Sequence, residues 1–181
     1  MSGSDTTGAT ERRPFAVPGA LAGQGIALRP QTEEDVPFLT RLYISLRWEE
    51  LQNVQQWTDA ERLSFLEDQF RKQHFHYSTY YGRTDFLIIE KDGAPIGRLY
   101  LDRGHDRDLR IVDIGLLPEW RGQGLGTIFL RAVLDEARAG GKMTSIHVEQ
   151  ENPAKRLYER LGFRDAEQSG PYWRMEHRAE S

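Results

Sequence analysis

Two segments of this 181-residue chain set residue types at spacings that chemistry requires. The first is Leu116-Leu117-Pro118-Glu119-Trp120-Arg121-Gly122-Gln123-Gly124-Leu125-Gly126-Thr127, which runs from a strand-like stretch into an amphipathic helix. The first turn of a helix has unpaired backbone N–H groups and the positive end of the peptide dipole. Glycines there let a ligand approach the main chain, so the turn suits a pyrophosphate or similar anion, and Arg121 adds a permanent charge. A turn needed only for tight strand-to-helix packing has the same letters. Spacing excludes two common phosphate loops. Counting from Gly122, Thr127 stands where a dinucleotide fingerprint needs its third glycine, and Gly141-Lys142 is followed by Met143 where a P-loop needs Ser or Thr.

The second segment is Asn152-Pro153-Ala154-Lys155-Arg156-Leu157-Tyr158-Glu159-Arg160-Leu161-Gly162-Phe163. Asn152 suits an N-cap, Pro153 the first helical position and Gly162 the left-handed position past the end. That logic does not require a tyrosine at 158, which is either a packed ring or a proton donor.

These segments need a scaffold to position them. Residues 1–24 are rich in Ser, Thr, Gly and Ala and are expected to form a flexible tail, with the folded domain over 25–181. The pattern predicts a strand over 25–29, a helix over 33–46, and a second helix over 58–76 opened by the capping box Thr58-Asp59-Ala60-Glu61. Strands over 86–90, 96–101 and 109–117 form an antiparallel meander. A helix over 124–139, a strand over 145–149, a short helix over 153–161 and strands over 163–167 and 172–177 follow. Strands in a run and then alternating with helices indicate an α+β fold, a mixed sheet covered by helices.

Composition narrows the function. The formal charge is −4, which excludes a general nucleic-acid binder, because phosphate affinity needs a concentrated positive face. No apolar run is long enough to span a bilayer, and no h-region follows Arg12 and Arg13, so a cytoplasmic protein is expected. Cysteine is absent, which removes disulfides, thiolate catalysis and Cys-ligated zinc. His74 and His76 do not share a helix face, so no metal site is expected.

With R-x-x-G-x-G at Arg121, Gly124 and Gly126, and N-x-A-x-x-L-Y-x-x-x-G-F from Asn152 to Phe163, the chain resembles the GNAT superfamily of acyl-CoA-dependent N-acetyltransferases from residue 26 to about 178. The resemblance implies a mostly antiparallel sheet of six to seven strands, a splayed parallel pair formed by the fourth and fifth strands, and about four flanking helices. It implies acetyl-CoA as cosubstrate, with Leu116, Leu117, Arg121, Gly122, Gln123, Gly124, Gly126, Thr127, Asn152 and Tyr158 as its binding residues. The acceptor is a primary amine of a small molecule, peptide or protein. A homodimer is a family tendency that the residues neither support nor exclude. A longer acyl donor and a degenerate acyl-CoA-binding module remain as alternatives.

The implied reaction sets three tasks: the amine must lose a proton, the carbonyl oxygen needs donors, and the thiolate needs a proton as it leaves. Tyr158 is expected to perform the last, and amides around Leu116 and Leu117 the second. His147 is the leading candidate base, with Glu149 and Asp113 as alternatives; a histidine merely bonded within the sheet is equally consistent. Trp48, Glu49, His74, Tyr77, Arg98 and Tyr100 are the expected acceptor-side residues, unless they only cap the core and face solvent.

Overall fold

The computed structural model describes residues 13–178. Seven strands form one sheet: β1 (Ile26–Pro30), β2 (Thr84–Lys91), β3 (Ala94–Asp102), β4 (Asp108–Leu116), β5 (Met143–Glu149), β6 (Arg164–Ser169) and β7 (Tyr172–His177). Their spatial order is β1-β2-β3-β4-β5-β7-β6, antiparallel throughout except for the parallel β4–β5 pair. Four α-helices flank it: α1 (Val36–Leu51), α2 (Asp59–Tyr80), α3 (Leu125–Ala139) and α4 (Lys155–Arg160). None of them is long and apolar enough to cross a membrane.

Local chemistry accounts for most boundaries. Asp92 and Gly93 adopt φ of 50° and 82°, so a two-residue turn with both central residues left-handed joins β2 to β3. Thr58 and Glu61 close a reciprocal capping box at the start of α2. Both α1 and α2 run four to five residues beyond the stretches expected from periodicity, to Leu51 and Tyr80. No Gly or Pro stops either helix at the expected point, and both added stretches remain in helical contact with their own last turn.

Two apolar clusters lie on opposite faces of the sheet. One joins Phe129, Val133 and Phe163 of the α3/α4 side to Leu99, Ile111 and Ile146 of the strands. The other joins Phe38, Leu39 and Leu42 of α1 and Leu66 and Phe70 of α2 to Ile88. The tail expected over 1–24 is corrected in part. Residues 1–12 lie outside the described residues, whereas Phe15 and Leu21 are buried in the first cluster. Two large side chains suffice to anchor a segment whose average composition is that of a linker.

The feature that positions the site is the junction of β4 and β5. Parallel pairing runs from Asp108–Met143 to Ile111–Ile146 and stops there, although both strands continue. On the other side of β4, Tyr100 of β3 faces Asp113 and Leu101 faces Ile111, so Val112 is an extra residue, a β-bulge. A bulge bends its strand and increases its twist. Beyond it β4 stays with β3 while β5 stays with β7, and the two central strands part.

Candidate active site

The opening between the parted strands is a cleft of about 430 Å³ that includes Asp113 and Ile114 of β4, His147 and Glu149 of β5, Tyr158 of α4 and Tyr77 of α2. Its β4 wall is lined with main chain. The Leu117 amide donates to the Ile96 carbonyl at 2.9 Å, which makes that pair a hydrogen-bonded rung of the β3–β4 ladder. Rungs alternate in an antiparallel ladder, so the Ile114 and Leu116 amides point away from β3, into the side that β5 has left. Leu116 and Ile114, rather than Leu117, therefore present donors to the cleft.

The glycine turn lies at the end of β4. Gly122 and Gly124 have φ of 70° and 82°, and a side chain added at Gly122, Gly124 or Gly126 would meet open space. Left-handed backbone and the first amides of α3, at Leu125, Gly126 and Thr127, thus form an uncovered cradle of N–H groups. Arg121 has a second duty. Its Nε donates to the Leu116 carbonyl at 2.8 Å and its Nη2 to Ser45 Oγ of α1 at 3.0 Å, fastening the turn to β4 and to α1. The Gln123 side-chain Nε2, on the exposed surface of the turn, donates to the Glu119 carbonyl at 2.7 Å.

Tyr158 lines the cleft from α4. Gly162 (φ 96°) donates to the Glu159 carbonyl and Phe163 to the Tyr158 carbonyl, both at 3.0 Å, the paired bonds of a Schellman ending. The Phe163 ring meets the Tyr158 ring edge-on at 5.9 Å, so the helix ending itself fixes the tyrosine. Burial, with the nearby Asp113 charge, raises the Tyr158 pKa well above the ordinary tyrosine value, so its hydroxyl keeps its proton. Asn152 Oδ1 accepts from the Ala154 amide at 2.9 Å and shapes the turn before α4.

The three candidate bases differ in their partners. Asp113 is held by Arg98, which is 2% exposed, at 2.5 Å; Arg98 also donates to Gln73 and lies over the Tyr100 ring. Glu149 pairs with Arg47 of α1 at 3.2 Å, and Arg47 also holds Glu50 at 2.8 Å. His147 has no such ion pair among the described residues, although the Asp108 and Glu167 charges lie near it. Its Nδ1 is buried without a hydrogen-bond partner, and burial, then the Arg110 and Arg174 charges, lowers its pKa below the ordinary histidine value. It is therefore neutral at physiological pH and has a lone pair to offer.

Among the expected acceptor-side residues, Tyr77 lines the cleft. Arg98 and Tyr100 support it from beneath; burial pushes the Tyr100 hydroxyl up to about 12. His74 stacks on Phe70 at 5.6 Å in a neighbouring depression that also includes Tyr77 and Arg98. Trp48 packs into the α1/α2 cluster and Glu49 is exposed, and neither lines the cleft.

Comparison with known proteins agrees with this geometry. Residues 45–163 match the acetyltransferase (GNAT) family. The chain belongs to the GNAT acetyltransferase family. It is 28% identical over 121 residues to a Bacillus subtilis protein provisionally named a ribosomal protein bS18 alanine N-acetyltransferase, covering 66% of this chain and 78% of that one. It is 36% identical over 91 residues to a mycothiol acetyltransferase of Corynebacterium glutamicum, covering 49% of this chain and 31% of the relative, so the chain spans under a third of that protein. The fold is shared with the PaiA N-acetyltransferase of Thermoplasma acidophilum, solved in complex with coenzyme A, at a TM-score of 0.63 and 19% identity over 85% of this chain and 99% of that one.

Within this GNAT fold, Arg110 and Tyr172 also line the cleft, and neither stands out in the sequence. Arg110 looks like any strand arginine, and Tyr172 reaches the site only because β7 pairs with β5, with Tyr172 opposite Glu149. Arg47 was legible only as one of four consecutive polar or aromatic residues. The phase of α1 selects it over Trp48 and Glu49, because successive helical residues diverge by about 100°.

Proposed function

We propose that this protein moves the acetyl group of acetyl-CoA to a primary amine by direct attack, with both substrates held together in the β4–β5 opening. The observation that carries this reading is the end of β4–β5 pairing at Ile111–Ile146, where Tyr158 lines the opening and β4 runs on into the open glycine turn. The residues present fit the donor. The open backbone at 122–127 offers amides to a diphosphate, and the Ile114 and Leu116 amides extend that row along β4 toward Tyr158. Acetyl-CoA when bound supplies an acetyl thioester, and the chain's own groups do the rest.

His147 takes the proton from the acceptor's ammonium, which frees the nitrogen lone pair. The β4 amides face the side on which carbonyl charge gathers, as preorganised donors. Tyr158, kept protonated by burial, gives its proton to the departing sulfur. The walls of α1, α2 and β7 receive the acceptor.

Thiol release from acetyl-CoA across a broad amine panel tests the reading, with Tyr158→Phe as the companion variant. The expected outcome is turnover with at least one amine, and a loss of about 10²-fold or more in kcat for the variant at nearly unchanged acetyl-CoA affinity. Coenzyme binding without turnover of any amine would mark an acyl-CoA-binding module instead. Undiminished turnover in Tyr158→Phe would remove the proton-donor role.

A further inference from the structure

Three arginines serve the walls of the cleft, and two are satisfied. Arg47 holds Glu149 and Glu50, and Arg98 holds Asp113. Arg110 is the third. It lies on β4 opposite Ser145, on the last paired stretch before the strands part. The carboxylates near it are engaged elsewhere. Asp113 belongs to Arg98 and Glu149 to Arg47; Asp102, opposite Arg110 on β3, takes the Gly104 amide at 2.9 Å; and Asp108 takes the Ser145 hydroxyl at 2.7 Å and Arg174 at 3.6 Å through Oδ2, its Oδ1 being buried without a partner. No ion pair to Arg110 occurs among the described residues, and its Nε is buried without a hydrogen-bond partner.

What Arg110 does have is a ring. Its guanidinium carbon sits 5.8 Å from the centre of Tyr81, just past the end of α2. Stacking occupies a face of the guanidinium and leaves the in-plane N–H edge, which is the edge that accepts a carboxylate in a fork. Arg110 and His147 line the same cleft, so the two groups address the same volume. A buried donor with no acceptor is costly to maintain unless something completes it.

We infer that Arg110 is the specificity residue for an acceptor that carries a carboxylate a few bonds from its reacting amine, that is, a free amino acid rather than a simple amine or the terminus of a long peptide. The inference rests on the acetyltransferase reading above and deepens it. The amine would approach His147 while the carboxylate completes Arg110, with the rings of Tyr77 and Tyr81 beside it. Tethering both ends of a small molecule orients the nitrogen, which a single contact does not do.

The test uses the full chain and the common amino acids, each paired with its primary amide and its decarboxylated amine. At least one acid should exceed its amide by about tenfold or more in kcat/KM, the scale of one charge-assisted fork. That preference should collapse in Arg110→Met and survive in reduced form in Arg110→Lys, with circular dichroism confirming that both variants fold. Equal use of acid and amide by the wild type, preference for a peptide over every amino acid, or an undiminished preference in Arg110→Met would overturn the inference and leave the acetyltransferase reading standing. If no amine of any kind is acetylated, that reading fails by itself. Calorimetric titration of the same pairs into the protein with coenzyme A then decides the carboxylate question. Acid-selective binding lost in Arg110→Met supports it, and equal or absent binding overturns it.

Discussion

The two sides of the β4–β5 opening are built by different means. On the α3/α4 side the groups proposed to act are main-chain amides and one tyrosine, set by two contiguous segments, 116–127 and 152–163. On the α1/α2 side they are side chains from α1, α2, β4, β5 and β7, held by ion pairs such as Arg47–Glu149 and Arg98–Asp113. The first construction depends on backbone angles and resists most side-chain changes. The second depends on residues far apart in sequence, so it can be altered one side chain at a time without disturbing the first. A family that keeps one donor and changes acceptors needs that division of labour.

Substitutions on the two sides should therefore separate cleanly. The largest effect is expected at the point where both substrates meet. His147→Gln should lower kcat/KM by about 10²-fold, the usual contribution of a positioned base. Since His147 sits below its ordinary pKa, wild-type kcat/KM should rise with pH along a limb whose midpoint lies below the ordinary histidine value of about 6.5, and the variant should lack that limb when compared with the same acceptor. Tyr158 stays protonated beyond the ordinary tyrosine range, so no alkaline fall from it is expected below about pH 10. A wild-type limb retained in His147→Gln would move the base to another group.

Next in size is the donor side. Gly124→Val puts a branched side chain into the open cradle at φ 82°. Strain and obstruction together should weaken acetyl-CoA binding by roughly 2 kcal/mol, about thirtyfold, while acceptor KM changes little. The smallest effect is expected at the mouth of the acceptor side. Arg47→Met frees Glu149 and Glu50, which are partly exposed, and should raise acceptor KM a few-fold with acetyl-CoA affinity intact. A Gly124→Val variant impaired only in acceptor KM, or an Arg47→Met variant impaired only in acetyl-CoA affinity, would dissolve the division between the sides.

The same division explains what was legible in the sequence. The glycine turn and the α4 ending could be read because each is encoded within a dozen contiguous residues. The capping box at Thr58 and the Asp92-Gly93 turn were legible for the same reason. The acceptor wall was not. Arg47 faces the cleft while Trp48 and Glu49 turn away, an outcome of how far α1 continues and how it rolls on β4. Tyr172 arrives through strand pairing across the sheet, and Arg110 becomes distinctive only once its neighbours' carboxylates are seen to be engaged. The Val112 bulge has no local signature; it appears only as a shift in register against β3. Phe15 and Leu21 were hidden by the small polar residues around them.

The amides of Ile114 and Leu116, together with those of residues 122–127, are proposed to receive the thioester-bearing cosubstrate. Amide hydrogen exchange on the wild-type protein, with and without saturating acetyl-CoA, addresses those atoms directly. Slowed exchange is expected at Ile114, Leu116 and across 122–127, with the Leu117 amide, already bonded to Ile96, unchanged. Slowed exchange confined to other strands, or none at these amides when the cosubstrate is demonstrably bound, would contradict it.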